Sequence, residues 1–435
     1  MSRQLFGTDG IRGVANEYPL DDAGCKQIGK AIGVHFGKPG QSILVGYDPR
    51  ESSPRICENV SDGLISVGVN VVIVGVIPTP GLAFLTKNGN FSAGVMITAS
   101  HNPYTDNGIK VFGPNGDKLP DDAEEELNSL IESTIQKVDS GKLSTDLQLI
   151  KTYENYLVDS AGGYLLKDLD LAIDCANGAT SGIAERVFIK LGAKVTTICD
   201  SPNGTNINVE CGATDTKTLQ ELVVDKQLMA GLAFDGDGDR LIAVDTQGRQ
   251  LDGDNVMYLL AVGNSFSGVV ATVMSNLGFE NALKNLGIDL QKTAVGDRYV
   301  LEGLEKTGYS LGGEQSGHII LTEYSGTGDG ILAGIHTLIA VLKSGKTLSD
   351  WRDELKLLPQ ALINIPLSDK SLLDKPKINE YIATQTADLG DSGRLLIRPS
   401  GTEPKARIMV ESEDAETRSK IIAVKLQQLI KEASV

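Results

Sequence analysis

The stretch Ser42-Ile43-Leu44-Val45-Gly46, an amphipathic segment over 53–67, and then Val69-Asn70-Val71-Val72-Ile73-Val74 reads as strand, helix, strand. The apolar runs are short and β-branched, whereas the segment between them carries helical periodicity. Ala93-Gly94-Val95-Met96-Ile97 extends the series. Strands alternating with helices specify the α/β class. Working outward, the alternation recurs through Leu171-Ala172-Ile173-Asp174, Lys194-Val195-Thr196-Thr197-Ile198 and Ala230-Gly231-Leu232-Ala233-Phe234. It starts a third time at Val269-Val270-Ala271-Thr272-Val273-Met274. The acidic stretch from Pro120 to Leu147 reads as a helix plus a connection. A break is expected between Pro359 and Pro366, after which a smaller unit carries Arg394-Leu395-Leu396-Ile397 and Ala406-Arg407-Ile408-Met409-Val410. The expected organisation is three similar α/β domains, 1–150, 151–250 and 251–360, and a smaller C-terminal α+β domain, 361–435.

That division agrees with size, since 435 residues exceed what one hydrophobic core serves. Hydrophobic content of 41% with 22% charged residues is ordinary for a globular protein, and no run approaches the roughly 18 apolar residues of a membrane span. Met1-Ser2-Arg3-Gln4-Leu5-Phe6-Gly7 has no apolar signal-peptide core, so a cytoplasmic protein is expected. A net charge of −17 argues against nucleic acid and anionic membrane as partners, because both demand a cationic face. An anionic small substrate stays open if Arg, Lys, backbone N–H groups or a metal reverse the field locally. The five cysteines are scattered without a C-x-x-C pair and read as reduced, mostly buried thiols.

The chemistry lies in four loops. Phe234-Asp235-Gly236-Asp237-Gly238-Asp239-Arg240 follows an apolar strand and puts carboxylates at every second position. Alternate residues share a side, so Asp235, Asp237 and Asp239 can converge on one hard cation while the glycines let the backbone curl around it. A calcium EF-hand loop would need Gly at its sixth position and Glu at its twelfth, where this chain has Arg240 and Thr246. Thr98-Ala99-Ser100-His101-Asn102-Pro103 follows another strand, where α/β proteins place ligand loops, and makes Ser100 a candidate for covalent chemistry. Its neighbour His101 is not expected to act as a triad base, because adjacent side chains diverge. The G-x-S-x-G elbow of hydrolases is missing.

Arg398-Pro399-Ser400-Gly401-Thr402-Glu403-Pro404, with Arg407 beyond it, combines hydroxyls, a glycine and cationic side chains, as a phosphate dianion requires. Gly312-Gly313-Glu314-Gln315-Ser316-Gly317-His318 offers a carboxylate, a hydroxyl and an imidazole suited to a polar sugar. His35 and His336 lie in helix-like apolar settings and read as structural. Ser344-Gly345-Lys346-Thr347 lacks the first glycine of a P-loop, Ala340 standing there, and Gly345 reads as a helix cap.

Taken in chain order, these serine, metal, sugar and phosphate loops resemble those of the α-D-phosphohexomutase superfamily. Phe6-Gly7-Thr8-Asp9-Gly10-Ile11-Arg12-Gly13, Asp174-Cys175-Ala176-Asn177-Gly178-Ala179 and Val295-Gly296-Asp297-Arg298-Tyr299-Val300 strengthen the likeness, which spans essentially the whole chain. Thr98 and Lys405 depart from the usual pattern without removing a reacting group. The resemblance implies four domains around a central active-site cleft and a phosphosugar substrate. It implies that Ser100, activated by phosphorylation, carries the phosphoryl group and that Asp235, Asp237 and Asp239 hold one Mg²⁺ together with a phosphoserine oxygen. It further implies that Glu314 and Ser316 contact the sugar, and that Arg398, Ser400, Gly401, Thr402 and Arg407 grip the non-reacting phosphate. Arg12, His101, Lys110, Arg240 and His318 would be the further catalytic residues, serving electrostatics and proton transfer, and a homodimer is suggested. The nearest alternative within the superfamily shares this chemistry and differs in the sugar. A phosphatase releasing inorganic phosphate and a non-catalytic metal-binding module are the further alternatives.

Overall fold

The β-branched runs of the first third become a six-stranded sheet in a computed structural model that describes residues 5–433 except 8, 9, 39, 40, 137, 139, 140 and 401–403. Its strands are β1 (Ile11–Val14), β2 (Ser42–Tyr47), β3 (Asn70–Val76), β4 (Ala93–Ile97), β5 (Asp106–Phe112) and β6 (Leu143–Thr145), ordered β1-β5-β4-β2-β3-β6. β4, β2, β3 and β6 run parallel, and β5 and β1 add antiparallel. The alternation along β2 sends Ile43 and Val45 into one core cluster and Leu44 into another, so both faces of the sheet are covered. Ile28 and Ile32 of helix Asp22–Phe36 and Val60 and Leu64 of helix Ser53–Ser66 join the first cluster. Leu82 and Leu85 of helix Thr79–Asn88 join the second. Each such side chain contributes about 1.5–3 kcal/mol on burial. The expected connection before Leu147 is partly a strand instead. β6 pairs with the edge of β3, satisfying backbone groups through three residues whose side chains stay exposed.

The second sheet contains β7 (Asp170–Asp174), β8 (Lys194–Ile198), β9 (Ala230–Phe234), β10 (Leu241–Val244) and β11 (Gln250–Leu251), ordered β11-β10-β9-β7-β8. The third contains β12 (Gly268–Thr272), β13 (Asp289–Thr293), β14 (Leu311–Gly313) and β15 (Ile319–Leu321), ordered β13-β12-β14-β15. All three sheets repeat one device. A parallel strand, β4, β9 or β14, ends in a short loop and returns antiparallel as β5, β10 or β15. The serine, metal and sugar loops occupy these three equivalent connections. Ligand loops at the carboxyl ends of strands are therefore built three times from the same local topology.

These sheets belong to one compact unit, Met1–Met274 with Ile288–Asp353. The other unit combines Ser275–Gly287 with Glu354–Val435. It holds an antiparallel sheet of β16 (Gln360–Pro366), β17 (Arg394–Pro399) and β18 (Lys405–Glu411), ordered β16-β18-β17. Helix Ala415–Ala433 packs Ile422, Leu426 and Ile430 with Ala406, Ile408 and Val410 of β18. Within this unit Leu277 N–H donates to Glu411 Oε2 (2.9 Å), and Arg394 bonds the Ser275 carbonyl (2.5 Å). The break expected at 359–366 is thus a strand. β16 lies at the sheet edge, where Pro359 just before it and Pro366 at its end cost no interior ladder bond. Gly345 ends helix Gly330–Ser344 in a left-handed conformation, φ 69°, as its cap reading requires.

Candidate active site

Ser100 sits just beyond β4 and is buried, with its backbone in the left-handed region at φ 52°. A non-glycine residue held there stores about 1–3 kcal/mol unless its surroundings compensate. They do so through a buried clamp. Arg50 donates from Nε to Asp48 Oδ2 (2.8 Å), from Nη1 to the carbonyls of Pro103 (2.5 Å) and Asp106 (3.1 Å), and from Nη2 to the Ser100 carbonyl (2.7 Å). Asn208 donates to the same Ser100 carbonyl (2.9 Å). Thr98 Oγ1 donates to Asp48 Oδ2 (2.7 Å) and accepts from the Ser100 N–H (2.8 Å). Arg50 and Asp48 are 1% and 0% exposed, so these bonds form away from solvent.

The loop aims the Ser100 hydroxyl at Asp235 Oδ2, to which it donates over 2.7 Å. His101 Nδ1 lies 3.3 Å from the same hydroxyl, contrary to the expectation that the two side chains diverge. The positive φ at Ser100 explains the difference, because divergence holds for extended backbone only. Burial first, then the charges of Arg240 and Arg12, push His101 down to about 4, so its imidazole is neutral at physiological pH.

Asp235, Asp237 and Asp239 are all buried and each offers an oxygen within 4.8 Å of the others. They converge through a turn rather than by strand alternation: Gly238 donates to the Asp235 carbonyl (3.1 Å) with φ 73°. At Gly236 a Cβ would come within 2.5 Å of the Ser100 carbonyl, so only glycine lets the serine and metal loops touch. Burial first, then Asp239 and Asp237, hold the Asp235 carboxyl well above the usual range. Burial also opposes ionisation of Asp239, but Lys110, His318 and Arg240 outweigh it and hold that group well below. Lys110 of β5 bonds Asp237 Oδ2 (2.9 Å) and lies 3.6 Å from Asp239, while Thr79 Oγ1 donates to Asp237 Oδ2 (2.6 Å). Asp237 Oδ1 and Asp239 Oδ1 are buried and accept no hydrogen bond among the described residues. Buried carboxylate oxygens left over in an oxygen-only cluster fit a hard divalent cation.

The sugar loop joins the metal loop through an antiparallel bridge between Arg240 and His318 and through Leu241 N–H to the Gly317 carbonyl (2.9 Å). Arg240 N–H also donates to Asp235 Oδ1 (3.2 Å). His318 is buried, with Nδ1 3.6 Å from Asp239 and Nε2 3.6 Å from Asp297. Burial opposes its charge, yet Asp239 and Asp297 raise its pKa above the ordinary histidine value. Glu314 Oε1 accepts from Gly296 N–H (3.1 Å), and Ser316 Oγ reaches Glu314 Oε2 (3.5 Å) from an exposed position. Arg12 of β1 contacts Asn102 Oδ1 (3.5 Å) at the rim of the serine loop.

Ser100, Arg12, His101, Lys110, Arg240, His318 and the three aspartates thus lie on linked loops and adjoining strands of one unit. Arg398, Ser400 and Arg407 belong to the other. There Arg398 and Arg407 face each other across β17 and β18, and Ser400 N–H donates to the Lys405 carbonyl (2.8 Å). Paired positions share a face, so both arginines project from the same side of the sheet next to the loop. Gly401 and Thr402 fall outside the described residues. His35 bonds Glu126 (3.2 Å) and His336 packs on the Tyr324 ring (4.4 Å between centroids), in keeping with structural roles. Asp48, Arg50, Thr79 and Asn208 escape a reading of the sequence. Their one signal there is Asp48-Pro49-Arg50 at the end of β2, again the carboxyl end of a parallel strand.

A serine hydroxyl clamped against a cation-ready carboxylate triad is the arrangement of a phosphoryl-transfer enzyme. Comparison with known proteins carries this further. Phosphoglucomutase/phosphomannomutase alpha/beta/alpha domain I matches residues 3–138, domain II 153–248, domain III 252–357, and the C-terminal domain 362–423. The chain belongs to the phosphoglucomutase/phosphomannomutase family, whose members are phosphosugar mutases. It is 44% identical over 435 residues to a phosphoglucosamine mutase of Thermus thermophilus, covering 99% of each chain. It is 46% identical over 436 residues to that of Solibacter usitatus, covering 96% of each. The crystal structure of a phosphoglucomutase/phosphomannomutase family protein from Burkholderia thailandensis shares the fold, with a TM-score of 0.82 at 24% identity over 100% of this chain and 98% of that one.

Proposed function

We propose that this chain interconverts glucosamine 6-phosphate and glucosamine 1-phosphate through a phosphoserine at Ser100 and a 1,6-bisphosphate intermediate. The observation that carries the reading is the 2.7 Å contact between Ser100 Oγ and Asp235 within the buried triad. High identity to full-length relatives named phosphoglucosamine mutase supports the choice of sugar. Asp235, Asp237 and Asp239 would hold Mg²⁺, which when bound supplies charge neutralisation on the transferring phosphoryl group. In the first half-reaction a substrate hydroxyl attacks phosphorus, the bond to Ser100 Oγ breaks, and the hydroxyl proton passes to a site base. After the bisphosphate turns over, Ser100 Oγ recovers the phosphoryl group from position 6. Arg12, Lys110 and Arg240 stabilise the spread negative charge, and His318, beside Asp239 and Asp297, is placed to move a proton at the triad. Glu314 and Ser316 read the sugar, and Arg398, Ser400, Gly401, Thr402 and Arg407 hold the other phosphate. We assign the four domains the spans 1–150, 151–250, 251–360 and 361–435, the enzyme to the cytoplasm as a homodimer, and the product to the synthesis of UDP-N-acetylglucosamine.

Phosphopeptide mapping together with turnover of glucosamine, glucose and mannose phosphates on one preparation tests this reading. The label should lie on Ser100, Ser100→Ala should abolish turnover without unfolding the chain, and glucosamine phosphate should turn over fastest. A label on Ser53, Ser316 or Ser400 would overturn the serine assignment. Preference for glucose or mannose phosphate would make the chain a phosphoglucomutase or phosphomannomutase. Stoichiometric inorganic phosphate would make it a phosphatase.

A further inference from the structure

Behind the metal loop lies a second cluster that the phosphoryl chemistry does not use. Asp174 ends β7, and Cys199 follows the neighbouring parallel strand β8, whose Ile198 pairs with Asp174. Cys211 arrives from the loop that leads to helix Lys217–Asp225. Asp174, Cys199 and Cys211 each present a ligand atom within 4.8 Å of the other two. Asp174 and Cys211 are buried, and Cys199 is half-buried, which leaves an approach from solvent.

We propose that Asp174, Cys199 and Cys211 form a binding site for a thiophilic divalent cation of the Zn²⁺ type, distinct from the oxygen-only triad. Two sulfurs and one carboxylate oxygen select such a metal over Mg²⁺, and three protein ligands leave a fourth position for water. The surroundings are those of an oriented ligand set. Asp174 Oδ1 accepts from Ala176 N–H (2.9 Å) and Oδ2 from Gly212 N–H (2.9 Å), which locks the carboxylate while sparing lone pairs for a metal. Asn177 Nδ2 points at Cys211 Sγ over 3.9 Å. Cys199 holds a left-handed backbone, φ 47°, and its carbonyl accepts from Asn177 N–H (2.5 Å).

A redox-active pair is the rival. A metal site differs from it in using the Asp174 carboxylate, whose oxygen lies within 4.8 Å of both sulfurs. Binding Zn²⁺ releases two thiol protons, so the site with ionised Asp174 carries a net charge of about −1 before and after. The Cys175–Ala179 turn beside the cluster donates from Ala179 N–H to the Gly236 carbonyl (2.8 Å), so a metal here braces the Asp235–Asp239 loop from behind.

The test is a Co²⁺ titration of the reduced full-length chain in excess Mg²⁺, followed by thiolate-to-cobalt charge-transfer absorption that carboxylates cannot produce. One equivalent per chain should develop the band, and Zn²⁺ should bleach it. Cys199→Ser and Cys211→Ser should each weaken binding by more than about a hundredfold, beyond the loss from an outer-shell partner, while Asp237→Asn keeps the band. Bound Zn²⁺ should also protect Cys199 and Cys211 of the unmutated chain from alkylation, read by peptide mass, which decides the matter even if a variant fails to fold. No charge-transfer band on the unmutated chain, a band that forms in Cys199→Ser at the affinity of the unmutated chain, or alkylation of both thiols at saturating Zn²⁺ would each overturn the site.

Discussion

Arg50→Lys isolates what the buried clamp does for Ser100. Lysine keeps a positive charge beside Asp48 and so avoids stranding a buried carboxylate, which would itself cost about 3–5 kcal/mol. It loses the planar fork that reaches Asp48 and three carbonyls at once. With two of these charge-assisted bonds gone, at about 1.5–3 kcal/mol each, the loop loses about 3–6 kcal/mol of restraint. That exceeds the roughly 1–3 kcal/mol of backbone strain at Ser100, so the residue should relax from its left-handed conformation and its hydroxyl should leave Asp235. At about 1.4 kcal/mol per factor of ten, the equilibrium constant for the aligned serine falls at least about a hundredfold. The loss should appear in kcat, because the sugar and phosphate loops remain, and KM should change little. Steady-state mutase kinetics would be compared with circular dichroism and Tm on the same protein. A folded Arg50→Lys enzyme with kcat within about threefold of the parent, or a defect confined to KM, would refute the clamp.

Asp237→Ala should lower Mg²⁺-supported turnover by more than about a hundredfold with the fold retained, since two carboxylates bind a reluctantly dehydrating cation poorly. Near-parental activity in chelator would contradict this. Arg407→Ala removes a charge-assisted phosphate contact and should cut kcat/KM roughly ten- to a hundredfold in both directions of the reaction; an unchanged value in both would remove Arg407 from the site. His336 supplies a pH test. Burial, then Lys343, lowers its pKa from 6.5 to about 4, so between those values the unfolded chain binds a proton that the folded chain refuses. Its contribution to stability is therefore present above pH 6.5 and lost as pH falls toward 4. Tm measured across this range should fall less steeply for a folded His336→Gln variant than for the parent, and parallel curves would show that His336 does not titrate this way.

Much of this protein is legible in its sequence because the signals are local. Residues 42–97 announce alternating strands and helices, and each functional loop follows an apolar strand, so periodicity alone locates Ser100, Asp235 and Glu314 at strand ends. Residue chemistry does the rest for the triad, since carboxylates crowded at every second position need a cation. What the sequence could not reveal depends on separation along the chain. Asp48 and Arg50 lie far from Ser100 in sequence, and they meet it only because β2 and β4 are neighbours in one parallel sheet with their carboxyl ends together. Asp174, Cys199 and Cys211 look like scattered residues until the pairing of β7 with β8 gathers them. The equivalence of the three loops is likewise tertiary, because it rests on which strands run antiparallel. Even the nearness of His101 to Ser100 was decided by the fold: the clamp on its carbonyl holds Ser100 at a φ that local preference alone disfavours.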